Sequence, residues 1–436
     1  MSRLFCVSAL AVAMSAAPAS ASDWNRFRGP NGTGIAAEAD PPATWGDDEN
    51  VLWKTPLPGP GSSSPVITPD GSKAFLTCYT GYGVADGAKS DLRSLVRHLL
   101  CFDTATGERL WIQSIKADAP REDAYRGFLT EHGYASNTPT TDGEHVFVFF
   151  GKSGVFAYTV DGSPVWDRPV GSGSATVEWG SAISPLLLDD RLFVTAFDES
   201  KSLVALDKAT GEELWKTSLG VEGTSYGTPV LVDGGDAGPL LVMMLPNVVN
   251  AYDPSDGNVV WSVPTGMNRN VSDSPVAGEL AGEPVVFVSG GFRGEESLML
   301  RTAADLGDVD RVLWRSRDSA SVSTPLFHEG RLFWLDSGGL AYGFDAASGE
   351  RLFRARVADL VLGRHAVYAS PVYAGGRVYL PTRQAGTIVL TPGDEYDELG
   401  RNVFAADDSD FNATPAVLGD TLLIRSNESL YRVGVN

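Results

Sequence analysis

The sequence is poor in cysteine, histidine and methionine, with 3, 5 and 6 of them among 436 residues. So few thiols exclude a disulfide-knotted scaffold. The absence of C-x-x-C, C-x-x-C-H and adjacent cysteines excludes zinc ribbons, thioredoxin-like redox chemistry and haem attachment. The histidines (His98, His132, His145, His328, His365) show neither H-x-H nor H-E-x-x-H spacing, so no zinc centre is expected, and His145 and His328 fall in tight turns. Cations are also scarce: 34 Lys and Arg stand against 55 Asp and Glu, for a formal net charge of −21. A surface with that excess of carboxylate has little to gain from counterion release, which excludes DNA, RNA and other polyanions as partners. No apolar run approaches the ~20 residues that a membrane-spanning helix needs. Helical periodicity is hard to find past residue 25, while 48 Gly and 26 Pro supply turns throughout, so an all-β fold is favoured.

The first 21 residues differ from the rest: one basic residue, Arg3, a short apolar run from Leu4 to Met14, and a small-residue end at Ala19, Ser20 and Ala21. This is the pattern of a Sec-type signal peptide cut after Ala21, and it predicts a periplasmic or secreted protein. A lipid anchor would need a cysteine directly after the apolar run, whereas Cys6 lies inside its beginning, so there is no lipobox. Residues 22–49 form an N-terminal extension ahead of a single repeat domain, 50–436.

The repeat is marked by Ser or Thr followed by Pro at Ser64, Thr138, Ser184, Thr228, Ser274, Thr324, Ser370 and Thr414, spaced by 74, 46, 44, 46, 50, 46 and 44 residues. After each comes the same series of four short β-rich runs, as in ISPLLLDD, RLFVTAF, SLVALD and GEELWKTSL. Tight polar turns separate them, such as the one from Asp207 to Gly211, where Asp bonds its own backbone and Gly takes a positive φ. Four antiparallel strands per unit at this period are propeller blades, labelled a to d from the Ser/Thr-Pro start.

The fourth run carries an aromatic anchor: Trp111, Trp166, Trp215, Trp261, Trp314, Phe353 and Phe404. Those are seven anchors for eight starts, and the eighth copy stops after its third run. The missing strand stands at the other end, where Asn50 to Leu57, with Trp53, precedes the first Ser/Thr-Pro. The expected architecture is therefore an eight-bladed β-propeller of four-stranded antiparallel blades, its ring closed by the N-terminal strand. In this register Cys78 and Cys101 align with Ala196 and Ala205 and should lie nearly opposite on paired strands, which makes them a candidate disulfide.

The segment Ala205 to Trp215 resembles the A-x-D-x-x-x-G-x-x-x-W docking motif of pyrroloquinoline-quinone (PQQ) propeller repeats; Ala251 to Trp261 matches it fully, and Cys101 to Trp111 and Gly343 to Phe353 match with substitutions. Together with the opening WNRFRGPNGTG and the closing FNATPAVLGDTLLIRSNESLYRVG, the chain resembles the secreted PQQ-binding-like propeller proteins, similar in fold to the BamB outer-membrane assembly lipoprotein. The resemblance implies the fold over the whole mature chain. Quinone dehydrogenases of that superfamily carry an adjacent cysteine pair, a calcium held by Glu, Asn and Asp, and an Asp base. This sequence lacks the cysteine pair and has only short loops for a metal cage, so catalysis is not implied.

No catalytic motif replaces it. Gly151, Lys152 and Ser153 lack the upstream Gly of a phosphate-binding loop, and no G-x-S-x-G elbow occurs. The clusters Asp407, Asp408, Asp410 and Asp47, Asp48, Glu49 read as solvated acidic loops rather than calcium sites. Asn427 opens a sequon in a turn. In a four-stranded meander the b–c and d–a connections leave one face, and the two longest, Gly81 to Arg97 and Lys116 to Gly133, both belong to blade one. The d–a connections also rim the central channel, which makes their side chains the candidate ligand site: His132, Tyr134, Glu178, Trp179, Tyr226, Arg269, Asn270, Arg364, His365, Tyr368 and Asn412, with Phe411. Aromatics interleaved with Arg, Asn and His suit a planar or sugar-like ligand or a peptide. Glu178 and Glu222 are the only hint of paired-carboxylate glycosidase chemistry. The expected function is a non-catalytic binding or scaffold propeller of the cell envelope, with an envelope protein or a small polar or aromatic ligand as partner and no cofactor; the alternative is a PQQ- and calcium-dependent oxidoreductase acting on alcohols or sugars.

Overall fold

Each of the first seven blades begins with a hydrogen bond to its neighbour. The backbone N–H of the Ser or Thr that precedes Pro donates to the hydroxyl of the equivalent residue one blade on, at 2.9–3.1 Å, from Ser64 to Thr138 and onward to Ser370 and Thr414. This belt around the channel is why the repeat keeps a β-hydroxyl at that position: it satisfies an inward N–H that has no strand partner.

The computed structural model describes residues 24–84, 91–291, 295–360 and 365–435; the signal peptide expected at residues 1–21 lies outside them. Around the belt stand eight antiparallel sheets, blade three running Leu186–Leu188, Arg191–Ala196, Ser202–Asp207 and Glu213–Ser218. The ring closes as the repeat count requires. Val51–Pro56 is the outer strand of blade eight and pairs antiparallel with Ser429–Val433. Apolar clusters fill the gaps between blades, such as Leu241, Met243, Leu245 and Tyr252 of blade four against Phe193, Leu203 and Ala205 of blade three.

The anchor tryptophans lock neighbouring blades. Trp53, Trp111, Trp166, Trp215, Trp261 and Trp314 each donate their indole N–H to a carbonyl in the c–d turn of the following blade, at 2.8–3.2 Å. Five of the rings lie on the turn glycine, and a Cβ on Gly107, Gly162, Gly211, Gly257 or Gly349 would come within 2.9 Å of the indole. The Gly of the repeat motif thus serves the preceding blade's Trp as well as its own positive φ. Phe353 differs: it meets Tyr396 of the blade-seven c–d turn edge-on at 6.1 Å, and Gly393 in that turn has nothing within 4 Å of its Cβ position.

Blade seven departs from expectation. Its outer strand ends at Asn402, Gly400 occupies the anchor register opposite Val389, and Phe404 lies beyond the strand, stacked on Tyr431 of blade eight at 4.0 Å. The N-terminal extension covers this seam. Trp45 is buried in the same apolar cluster as Phe404 and Leu418, and its backbone N–H donates to Asn402 Oδ1 at 3.0 Å.

The cysteine expectation is corrected. Cys78 faces His98 and Cys101 faces Phe75, three rungs apart on the paired strands, a separation of about 10 Å. They also point to opposite faces, Cys78 toward blade eight and Cys101 toward blade two, so both thiols are free, and burial pushes each up to about 12. The misjudgement came from aligning repeat positions without fixing the hairpin register, which alternates faces at every residue.

Candidate functional site

The extension does more than seal a seam. Residues from Trp24 to Gly34 cross the central channel: Trp24 O accepts from Ile67 N, Asn25 O from Thr141 N, and Gly34 O from Tyr373 N, while Asn31 Nδ2 donates to Leu231 O. Ile35–Ala36 then pairs parallel with Tyr373 and Ala374 as a fifth, inner strand of blade seven. The Arg28 guanidinium is fully buried in the channel and donates to the carbonyls of Pro325 at 2.9 Å and Thr33 at 3.2 Å; burial lowers its pKa to about 9. The chain's own start therefore bridges blades one, two, four, six and seven.

Above this plug lies a cavity of about 290 Å³, floored by Phe27 and open on the face of the d–a connections. All eight belt hydroxyls reach it, and Ser64 alone among them has no hydrogen-bond partner, because no backbone N–H from blade eight closes the belt on it. The two blade-one insertions meet on this same face. Tyr79, Tyr82, Tyr125 and Tyr134 pack with ring centroids 5.4–6.4 Å apart, and the buried pair Arg97 and Glu122 is bidentate at 2.7 Å. From that support the short helix Leu129–His132 projects over the mouth. Glu131 pairs with Arg383 of blade seven, which also bonds Asp410 at 2.5 Å, and the Glu131 carbonyl accepts from Asn412 Nδ2 at 2.9 Å.

Seven of the expected residues line the cavity: His132, Trp179, Tyr226, Asn270, His365, Tyr368 and Asn412. Trp179 and Tyr226 lie nearly parallel, 24° apart with centroids at 6.4 Å, and Phe128 meets Trp179 edge-on at 4.4 Å. Asn270 Oδ1 accepts from Thr224, whose side chain also meets the Tyr226 hydroxyl, while the buried Asn412 Oδ1 has no partner. Tyr368 sits beneath the Arg383 guanidinium, 5.1 Å from its centroid.

Four expected residues do not line it. Tyr134 is buried in the tyrosine cluster with its hydroxyl on Asp123 O at 2.7 Å. Glu178 pairs with Arg126 outside the cavity, and Arg269 is exposed and contributes its backbone, accepting from Thr224 N. Phe411 stacks in the seam of blades seven and eight. Arg364 lies outside the described residues. With Glu178 turned away and Glu222 exposed, neither carboxylate of the glycosidase pairing reaches the cavity. Sequence reasoning missed Phe27, Phe128, Ser136 and the hydroxyl belt; the Ser/Thr-Pro repeat was the signal for the belt, read as punctuation rather than as lining.

A family model described as outer membrane protein assembly factor BamB matches residues 97–298 and 302–434. The chain belongs to that family. Among solved structures, BamB from Moraxella catarrhalis is 12% identical, with a TM-score of 0.59 over 88% of this chain and 99% of that one. A europium-containing methanol dehydrogenase is 9% identical, with a TM-score of 0.65 over 95% and 98%. The Saccharomyces cerevisiae protein Sqt1 is 10% identical, with a TM-score of 0.59 over 88% and 99%. At such identities these likenesses concern the fold. A search of curated protein sequences returned no match. Among the described residues no helix is long and apolar enough to cross a membrane.

The cavity of this BamB-family propeller holds one nucleophile–base contact, Ser136 Oγ to His132 Nδ1 at 2.6 Å. His132 Nε2 lies 2.9 Å from the Trp179 carbonyl, which can only accept, so Nε2 carries the proton and Nδ1 accepts from Ser136. Partial burial at the cavity wall lowers the imidazole to about 4, which leaves it a poor proton acceptor near neutrality. The pair therefore positions the mouth: it ties the blade-one helix to the loop that carries Trp179.

Proposed function

We propose that the protein is an exported, non-catalytic binding propeller of the cell envelope, whose working surface is the face that carries the cavity. The observation behind this reading is the blind cup itself. It is closed below by the chain's own N-terminal segment, walled by aromatic rings and neutral hydrogen-bonding groups, and served by a histidine too weakly basic for acid–base work. The blade-one insertions, stiffened by four tyrosines and a buried ion pair, offer an envelope protein a docking ridge beside the cup.

The residues present do not fit PQQ, the quinone whose propeller repeats the sequence resembles. PQQ is a tricarboxylate that needs cations around it and a calcium beneath. Among the described lining residues there is no lysine or arginine, and the described residues offer no His, Cys, Asp and Glu grouping spaced for a metal ion. A thermal-shift titration with PQQ, calcium and both together tests the reading. A ligand at a hundredfold excess over its Kd stabilises by about 2.7 kcal/mol, so binding would be visible. No shift is expected; a saturable shift with PQQ plus calcium would overturn the reading in favour of a quinone-dependent oxidoreductase.

A further inference from the structure

The polar groups of the cup specify a kind of ligand. Ser64 and Asn412 are at least nine-tenths buried residues of the cavity wall, and Ser64 Oγ and Asn412 Oδ1 have no hydrogen-bond partner; the Tyr226 hydroxyl, on the blade-four side of the same wall, is held by the Thr224 side chain. A buried polar group left without a partner keeps its desolvation penalty, which a ligand that bonds it would recover. Their chemistry is mixed. Asn412 Nδ2 is already spent on the Glu131 carbonyl, so Oδ1 is an acceptor and its partner must donate. Ser64 and Tyr226 can both donate and accept. The other belt hydroxyls each accept one backbone N–H and keep the hydroxyl proton to donate.

A ligand that must donate at one point and accept at several others, over an aromatic wall, carries hydroxyl groups around a ring with an apolar C–H face. We infer that the cup binds a neutral saccharide of one or two rings, its C–H face on Trp179 and its hydroxyls on Ser64, Tyr226 and Asn412. This rests on the proposal that the cup is a binding site. A carboxylate or phosphate ligand finds the opposite of what it needs. No cationic side chain lines the cavity among the described residues, the lone acceptor at Asn412 would repel it, and the Glu295 carboxylate stands exposed at the rim. Burial keeps His132 and His365 below the usual imidazole range, so they offer no positive charge near neutrality. An extended peptide needs a long open groove or sheet edge, and the cup is plugged by Phe27.

The test is titration calorimetry on the purified protein with glucose, galactose, N-acetylglucosamine, maltose and cellobiose, and with citrate and PQQ as anionic probes. Saturable binding of at least one sugar is expected. Trp179→Ala should weaken it about tenfold or more by removing the stacking surface, and Asn412→Asp, isosteric but charged, should weaken it too; Leu214→Ala, on an exposed outer strand, should leave it unchanged. If Trp179→Ala does not fold, Asn412→Asp decides alone. Sugar binding indifferent to these substitutions would overturn the inference by placing the sugar elsewhere. Binding of citrate or PQQ and of no sugar would overturn it while leaving the cup as a ligand site. Binding of neither class at millimolar concentration would overturn both the inference and the small-ligand reading of the cup.

Discussion

The lock between blades can be measured at its closing point. Gly107, in the c–d turn of blade one, has φ +74, and a Cβ placed there would lie 2.6 Å from two ring atoms of Trp53 and 2.8 Å from Thr55 Oγ1, both on the strand that closes the ring. Gly330, in a turn of blade six, has nearly the same conformation, φ +73, with nothing within 4 Å of its Cβ position. Alanine at Gly330 therefore bears only the left-handed backbone cost, about 1–2 kcal/mol. Alanine at Gly107 bears that cost and also displaces the indole. Overpacking adds about 1–3 kcal/mol. The Trp53 N–H bond to Thr104 O and the Thr55 hydroxyl bond to Gly107 O, at 2.9 and 2.6 Å, are strained or lost for about 1 kcal/mol each. Gly107→Ala should thus be about 3–5 kcal/mol less stable than Gly330→Ala. Urea unfolding of both variants followed by tryptophan fluorescence gives the difference from the transition midpoints at unchanged slope. Equal midpoints would refute the argument that the turn glycine exists to seat the neighbouring tryptophan.

Other consequences are equally direct. Removing residues 50–58 strips blade eight of its outer strand and Trp53, and should lower the melting temperature in one large cooperative step; an unchanged melt would reject closure by this strand. Cys78 and Cys101 should resist Ellman's reagent in the native protein and both react after denaturation without reductant, since they are buried, unpaired and held at about 12. Burial and the adjacent Asp198 carboxyl push Glu199 up to about 8, from 4.5 when unfolded. Between those values the native state keeps a proton that the unfolded chain has released, so stability falls as pH rises, at up to about 1.4 kcal/mol per unit. Burial also raises Asp198 to about 7, so it adds to the slope in the same window; Glu199→Gln should reduce the slope in chemical denaturation at pH 5 to 8 without abolishing it, and an unaltered slope would show that Glu199 is ionised in the fold.

Much of the architecture was legible because each blade is local. A hydroxyl before proline, a D-x-x-x-G turn and a tryptophan lie within one period and meet within one blade or across one blade gap, so periodicity alone places them. Blade seven escaped because Gly400 holds the anchor register, and Phe404, four residues on, is the next aromatic in the sequence. The cysteines escaped because facing is decided by hairpin register, which a repeat alignment does not supply.

For the site, the sequence alone determined which connections rim the channel, and hence that Trp179, Tyr226, His365 and Asn412 share one mouth. It did not determine which side chains turn inward. Glu178 is drawn away by Arg126, Tyr134 by the tyrosine cluster, and the choice depends on partners many residues distant. Nor did it reveal that Trp24 to Ala36 threads the channel, since those residues carry no repeat signal and find their partners at Thr141, Leu231, Pro325 and Tyr373. Those contacts exist only once the ring has closed and brought the inner strands of blades far apart in sequence around a single axis.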